Sequence, residues 1–211
     1  MSGANDTVLV IDDDPALRAS IGRLLRSLDL NARLFASISE FLEADPPDGP
    51  TCLVLDVRLP EQSGLDLQRQ LAMTNEDIPI IFITGHGDVP MSVQAMKGGA
   101  IEFLTKPFRD QELLDAIQLG LSRDRARRQN EDALVELRER FSLLSARERE
   151  IMIQVTRGRL SKQIAGDIGI AEATVKVHRS RLMRKMKAHS LLALLRMAEK
   201  LQLVPEETQS S

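Results

Sequence analysis

Five polar residues stand just past four short apolar runs in the first half of the chain. Asp12 and Asp13 follow Val8-Leu9-Val10-Ile11, and Asp56 follows Cys52-Leu53-Val54-Leu55. Thr84 follows Ile80-Ile81-Phe82-Ile83, and Lys106 follows Ile101-Glu102-Phe103-Leu104-Thr105. Three carboxylates brought to one place repel one another and need a cation. An all-oxygen donor set suits Mg2+, which keeps several waters and takes one or two carboxylates together with a phosphate oxygen. Asp56 can then attack phosphorus and form an acyl phosphate, a known form of carboxylate nucleophilic catalysis. Mg2+ and Lys106 would neutralise charge developing on the equatorial oxygens, and the Thr84 hydroxyl can hydrogen-bond one of them. A solvated strand end explains any one of these aspartates alone, but not four strand ends carrying the set together.

A parallel sheet would gather these groups. Its buried strands read as continuous apolar runs, and ligands of open α/β sheets bind outside the carboxyl ends of the strands. After Val8–Ile11, residues Ile21, Leu24, Leu25 and Leu28 share one helix face. Arg33-Leu34-Phe35 is a candidate second strand. Ile38, Phe41 and Leu42 suggest a short helix, stopped by Asp45-Pro46-Pro47-Asp48-Gly49-Pro50. Further strands are expected at 53–56, 80–83 and 101–104, with helices over 64–73, over 89–97 and from Asp110 onward. This alternation predicts an α/β fold built on a doubly wound, five-stranded parallel sheet.

The net charge of −3 conceals a split. Residues 1–120 hold 9 Lys+Arg and 19 Asp+Glu, whereas residues 140–204 hold 14 and 5. Such asymmetry points to nucleic acid as the partner of the second half only. Residues 122–140 are rich in charge and lack Gly and Pro, so a helical linker continuing the fifth helix is expected there. Leu119, Ala126, Ala133, Leu134, Leu137 and Phe141 give it a thin apolar stripe. It is either a rigid spacer or a dimerising coiled coil, for which two or three heptads are short. Residues 205–211 read as a disordered tail.

In the second half, helices are expected over 146–157, 161–168, 172–187 and 190–201. Residues Thr174–Lys187 include six Lys and Arg and no acid. On a helix, Val175, His178, Leu182 and Met186 fall on one face, which should pack inward, while Lys176, Val177, Ser180, Arg181 and Arg184 point outward. A helix ending at Gly169-Ile170, then a basic helix, is the pattern of a small all-α helix-turn-helix domain whose second helix enters the major groove of double-stranded DNA. A solvated basic face is the plainer reading of such a helix; the turn, the amphipathic register and the regional charge together favour DNA.

Residues 7–121 resemble a response-regulator receiver domain, which has a flavodoxin-like fold. The motifs are Val10-Ile11-Asp12-Asp13-Asp14, Leu55-Asp56-Val57-Arg58-Leu59-Pro60, Ile83-Thr84-Gly85-His86-Gly87-Asp88 and Thr105-Lys106-Pro107-Phe108. The resemblance implies that Asp56 is the phosphoacceptor and that Asp13, Asp56 and the Arg58 backbone carbonyl ligate Mg2+, with Asp12 acting directly or through water. It pairs Thr84 with Phe103 as a coupled switch, and it implies a cis Lys106-Pro107 peptide. Bulky Arg58 and His86 either hinder an attacking water, giving slow self-dephosphorylation, or are surface residues without a kinetic role.

Residues 141–204 resemble the LuxR-type DNA-binding domain through Leu144-Ser145-Ala146-Arg147-Glu148-Arg149-Glu150, Ser161-Lys162-Gln163-Ile164-Ala165 and Thr174-Val175-Lys176-Val177-His178. That resemblance assigns Lys176, Val177 and Ser180 to base edges and Lys162, Thr174, Arg179 and Arg181 to phosphates. Leu191, Leu194 and Leu195 form a dimer seam or simply cover their own core. Together the two halves resemble the NarL/FixJ class of two-component regulators. The class implies a sensor histidine kinase as phosphodonor, a homodimer on phosphorylation paired through Val89, Pro90, Val93, Gln94 and Lys97, promoter DNA as target, and RNA polymerase as a further partner.

Composition fits a globular protein, with 43% hydrophobic and 28% charged residues. No apolar run approaches the roughly 20 residues that span a bilayer, and the N-terminus lacks the pattern of a signal peptide. The single cysteine, Cys52, sits in an apolar run, which suits a buried thiol and a reducing, cytoplasmic compartment. The resemblance to two-component regulators implies no enzyme beyond the receiver's own phosphotransfer and autodephosphorylation. Two alternatives stand beside this reading. One is a DNA-binding protein whose receiver no longer needs phosphate. The other is an aspartyl-phosphate phosphohydrolase, which would need a second acid just after the nucleophile, where Arg58 stands two residues on.

Overall fold

The computed structural model describes residues 6–60, 62–74, 76–85 and 89–203. Five strands form one parallel sheet: β1 (Thr7–Ile11), β2 (Asn31–Phe35), β3 (Thr51–Asp56), β4 (Ile80–Thr84) and β5 (Glu102–Thr105). Between them run α1 (Pro15–Arg26), α2 (Ile38–Leu42), α3 (Gly64–Thr74) and α4 (Val89–Lys97), and α5 (Asp110–Ser142) follows β5. The strand order is β2-β1-β3-β4-β5. Connections leave in opposite directions from β1 and β3, so the crevice of this sheet opens at their carboxyl ends.

Every residue of β1, β3 and β4 is buried, which is why those strands carry unbroken apolar runs. Alternate side chains enter different cores, following the period of two in a strand. Leu9, Ile11, Leu53, Leu55 and Phe82 pack with Leu67 and Leu71 of α3 and Ala95 of α4. Val8, Val10, Cys52, Val54, Ile81 and Ile83 pack with Ile21 and Leu25 of α1 and with Leu113 and Ile117 of α5. The edge strands β2 and β5 are only partly covered. Against the sequence reading, β5 lies one residue further along, because Lys106 donates its amide to the Thr84 carbonyl and Thr105 completes the ladder. Gly120 of α5 lies against Cys52, and a Cβ there would sit 2.6 Å from its sulfur.

α5 runs unbroken through 122–140, and the chain divides into two compact units between Arg128 and Gln129. The expected apolar stripe is buried only in its second half, with Leu137 in a core and Leu134 and Phe141 half-buried. Leu119, Ala126 and Ala133 are exposed, whereas Leu113, Ala116, Ile117, Gly120, Leu121 and Asp124 face the sheet. Asp124 is the instructive residue. Although charged, it is 1% exposed and accepts from the Thr51 amide that opens β3 at 2.8 Å, and from Arg127 and Arg128. Beside it, Arg125 grips both oxygens of buried Asp6 at 2.7 Å.

The second unit adds α6 (Ala146–Thr156), α7 (Ser161–Ile168), α8 (Glu172–Lys185) and α9 (Leu191–Lys200). Ser145 caps α6 in a reciprocal box with Glu148. Gly169, at φ 67°, turns the chain between α7 and α8, a backbone conformation that a Cβ would disfavour. Leu137, Leu144, Ile151, Met152, Ile164, Val175, Leu182, Met186 and Leu194 form its core. Leu194 is therefore core rather than seam, while Leu191 and Leu192 are exposed. Among the described residues, no helix is long and apolar enough to cross a membrane.

Candidate functional site

At the carboxyl edge of the sheet, β1 delivers Asp12 and Asp13, β3 delivers Asp56, β4 delivers Thr84, and the loop after β5 delivers Lys106. Asp12, Asp56 and Thr84 are buried, and Asp13 is exposed. Lys106 Nζ donates to Asp12 Oδ2 at 2.6 Å and to Asp56 Oδ2 at 2.5 Å. The carboxylates of Asp12, Asp13 and Asp56 each offer an oxygen within 4.8 Å of the others. One ammonium thus meets two of the three clustered carboxylates, and this oxygen-only cluster could hold a metal ion. Its size and charge fit a hard divalent cation such as Mg2+.

The electrostatics follow from burial. Removal from water pushes the Asp12 carboxyl above its usual range, and the hydrogen bond from Lys106 only partly offsets this. Burial would lower the Lys106 pKa, but its two carboxylate partners more than reverse that, so the ammonium is held charged. Local turns fix the remaining oxygens. Asp12 Oδ1 accepts from the Asp14 amide and Asp56 Oδ1 from the Arg58 amide, both at 2.9 Å. Each aspartate therefore presents a fixed geometry at the end of its strand.

Phe103 is half-buried on β5, with its ring 6.3 Å from that of Phe82, and the register sets Phe103 beside Phe82 and Thr105 beside Thr84. The Lys106-Pro107 peptide is cis. Arg58 is exposed beside the site, and His86 lies outside the described residues. Three supporting residues escape a reading of the sequence. Asp14 caps α1 through the amides of Ala16 and Leu17, a role that the following Pro15 does signal. Arg18, one turn into α1, donates to the Asp12 carbonyl at 2.5 Å. Gly64, at the start of α3, comes so close to β3 that a Cβ would meet the Asp56 carbonyl at 2.5 Å.

The second unit holds a separate surface. Val175 and Leu182 of α8 and Met186 at its C-cap are fully buried, and His178, expected beside them, is half-buried with its Nδ1 enclosed and unpartnered. Thr174, Lys176, Val177, Ser180, Arg181 and Arg184 are exposed on α8, as is Lys162 on α7. Arg179 is only half-exposed and donates to the Ser161 hydroxyl at 3.0 Å, so part of its donor capacity ties α8 to the start of α7. Lys176 is paired with Glu172 at 2.8 Å, a residue the sequence reading passes over. The exposed face of α8 is rich in cations and suited to a polyanion.

Comparison with known proteins agrees with this geometry. Residues 8–118 match the response regulator receiver domain family, and residues 142–198 match the luxR family of bacterial regulatory proteins. Nodulation protein W of Bradyrhizobium diazoefficiens is 50% identical over 97% of this chain and 90% of its own length. The transcriptional regulatory protein FixJ of Azorhizobium caulinodans is 44% identical over 90% of each chain. Among solved structures, that of the response regulator StyR superposes with a TM-score of 0.82 at 48% identity, covering 93% of this chain and 99% of that one.

Proposed function

Since the chain belongs to the response regulators that join a receiver domain to a LuxR-type DNA-binding domain, we propose that Asp56 accepts a phosphoryl group from a sensor histidine kinase and that the phosphorylated chain regulates promoters through α8. The observation that carries this reading is Lys106 Nζ bridging Asp12 and Asp56 at 2.6 and 2.5 Å where the sheet opens. In the transfer, a carboxylate oxygen of Asp56 bonds to phosphorus as the P–N bond of a phosphohistidine breaks, and the departing imidazole takes up a proton. Lys106 neutralises charge on the phosphoryl oxygens, and the Thr84 hydroxyl donates to one of them. Mg2+, held by Asp12, Asp13, Asp56 and the Arg58 carbonyl, would supply charge neutralisation and orientation of the phosphoryl oxygens. Hydrolysis of the acyl phosphate by the receiver itself resets the chain.

Movement of Thr84 toward the phosphoryl group lets Phe103 repack, and α4 lies alongside β5. Its exposed Val89 and Val93 support pairing of two phosphorylated chains through that face. Two copies would read two half-sites, with Lys176, Val177 and Ser180 on base edges and Lys162, Thr174, Arg179, Arg181 and Arg184 around the phosphates. The response extends to RNA polymerase at the promoter, and the compartment is the cytoplasm. The domain limits we propose are 1–121, 122–140 and 141–204. A single experiment tests the core of this reading. Wild type and Asp56→Asn are treated with a small acyl phosphate and Mg2+, and acyl-phosphate content and DNA binding are followed together. Phosphorylation and a gain in DNA affinity are expected for the wild type alone. DNA binding indifferent to phosphate in both proteins would overturn the switch, and rapid turnover without DNA binding would point to a phosphohydrolase.

A further inference from the structure

α8 presents a row of cations and one acid. Within Glu172–Lys185, Glu172 is the sole carboxylate. It lies in the first turn, where recognition helices meet base edges, and it bonds Lys176 Nζ at 2.8 Å with both side chains exposed. The hydrogen bond and charge of Lys176 hold the Glu172 carboxyl below its usual range, with a further contribution from the charge of Lys162 on α7. A cation of the DNA-facing surface therefore carries its counter-charge beside it. As a stabilising contact this matters little, because exposed pairs one turn apart contribute little. A carboxylate placed on a face meant for phosphates should weaken binding, unless the weakening is selective.

We propose that Glu172 is a specificity-determining residue of the DNA interface, occupying Lys176 on unrelated sequences and releasing it only where a base edge offers it acceptors. Non-specific binding is driven by cations that displace counterions from phosphates, and a lysine already neutralised by Glu172 displaces fewer. At the correct site Lys176 exchanges the carboxylate for the paired acceptors on a guanine edge, so the pair opens at little net cost. Glu172 thus penalises wrong sequences more than the right one, a discrimination built from repulsion as well as attraction.

The inference rests on the DNA-binding reading of α8, and its test separates the two. The full-length wild-type chain, phosphorylated with a small acyl phosphate and Mg2+, first selects duplexes from a randomised pool. Wild type and Glu172→Gln, phosphorylated in the same way, are then titrated against a selected and a scrambled duplex across a salt series. Glu172→Gln is expected to bind the scrambled duplex about tenfold more tightly with a steeper salt dependence, and the selected duplex within about threefold of wild type. Equal gains on both duplexes, or no change on either, overturn the proposal. If the acid merely steadies the start of α8, its effect persists when Lys176→Met is also present. The proposal expects the loss of discrimination to shrink to a small remainder in that background, and persistence at full size sinks it. A wild-type chain that selects no sequence removes the DNA reading itself, and this inference with it.

Discussion

Lys106 bonds two carboxylates of which one is fully buried, so removing its ammonium leaves like charges facing each other with little water between them. Breaking such a pair from one side is costly. Lys106→Met should lower the unfolding free energy of the metal-free protein by about 2–3 kcal/mol, and added Mg2+ should recover part of the loss. Denaturant titration with and without the metal checks this, and a variant as stable as wild type would contradict the arrangement. Glu148 makes the opposite kind of pair. Burial would raise its pKa, but the hydrogen bond from Lys185, together with those from Ser145, outweighs it and holds the carboxyl below its ordinary 4.5. A depressed folded pKa means stability that is present above the unfolded value and lost as pH falls through the folded one. The gap in melting temperature between wild type and Glu148→Gln should therefore be open at pH 7 and close on acidification below 4.5. Asp12, Asp13, Asp56, Thr84 and Lys106 are visible in the sequence because a strand end marks itself by the step from apolar to polar. Glu172 is as legible, standing four residues before Lys176 on the expected helix, whereas Arg18 is not, because its partner is a backbone carbonyl that no residue type marks.

The strands β1, β3 and β4 are legible because burial on both faces confines their polar side chains to the strand ends. α5 is harder. Its charge pattern suggests a solvated rod, yet Asp124 closes the open amide at the start of β3 and draws two arginines with it. A buried carboxylate cannot be told from an exposed one by its neighbours in sequence; only the strand beneath it decides. The junction of β3 and α3 shows how closely the helices must approach the sheet to serve the site. Gly64 stands where a Cβ would meet the Asp56 carbonyl at 2.5 Å, and backbone cannot swing aside as a side chain does. Gly64→Ala should cost about 1–3 kcal/mol of stability and should slow phosphorylation of Asp56 more than that loss accounts for, measured as initial rate on protein shown to be folded. An unchanged rate would mean that the junction relaxes without moving the carboxylate.

Across the whole chain, charge and chemistry are partitioned together: acids gather where phosphate is to be handled with a cation, and bases where it is to be met directly. Each unit carries its own core. The lone thiol offers a way to watch one of them. Cys52 lies near the start of β3, the central strand, with no exposed area, Gly120 seals it, and burial, then the charge of Asp124, pushes its pKa far above the ordinary thiol range. A thiol-reactive dye should therefore leave the native protein untouched and label it only as fast as the receiver core opens. Acyl phosphate and Mg2+ should slow that labelling by tightening the receiver, and an unchanged rate would contradict such tightening. Because the remaining sequence has no other sulfhydryl, the chain comes with a built-in stopwatch for one half of itself, and a cysteine placed on α9 would add an independent clock for the other.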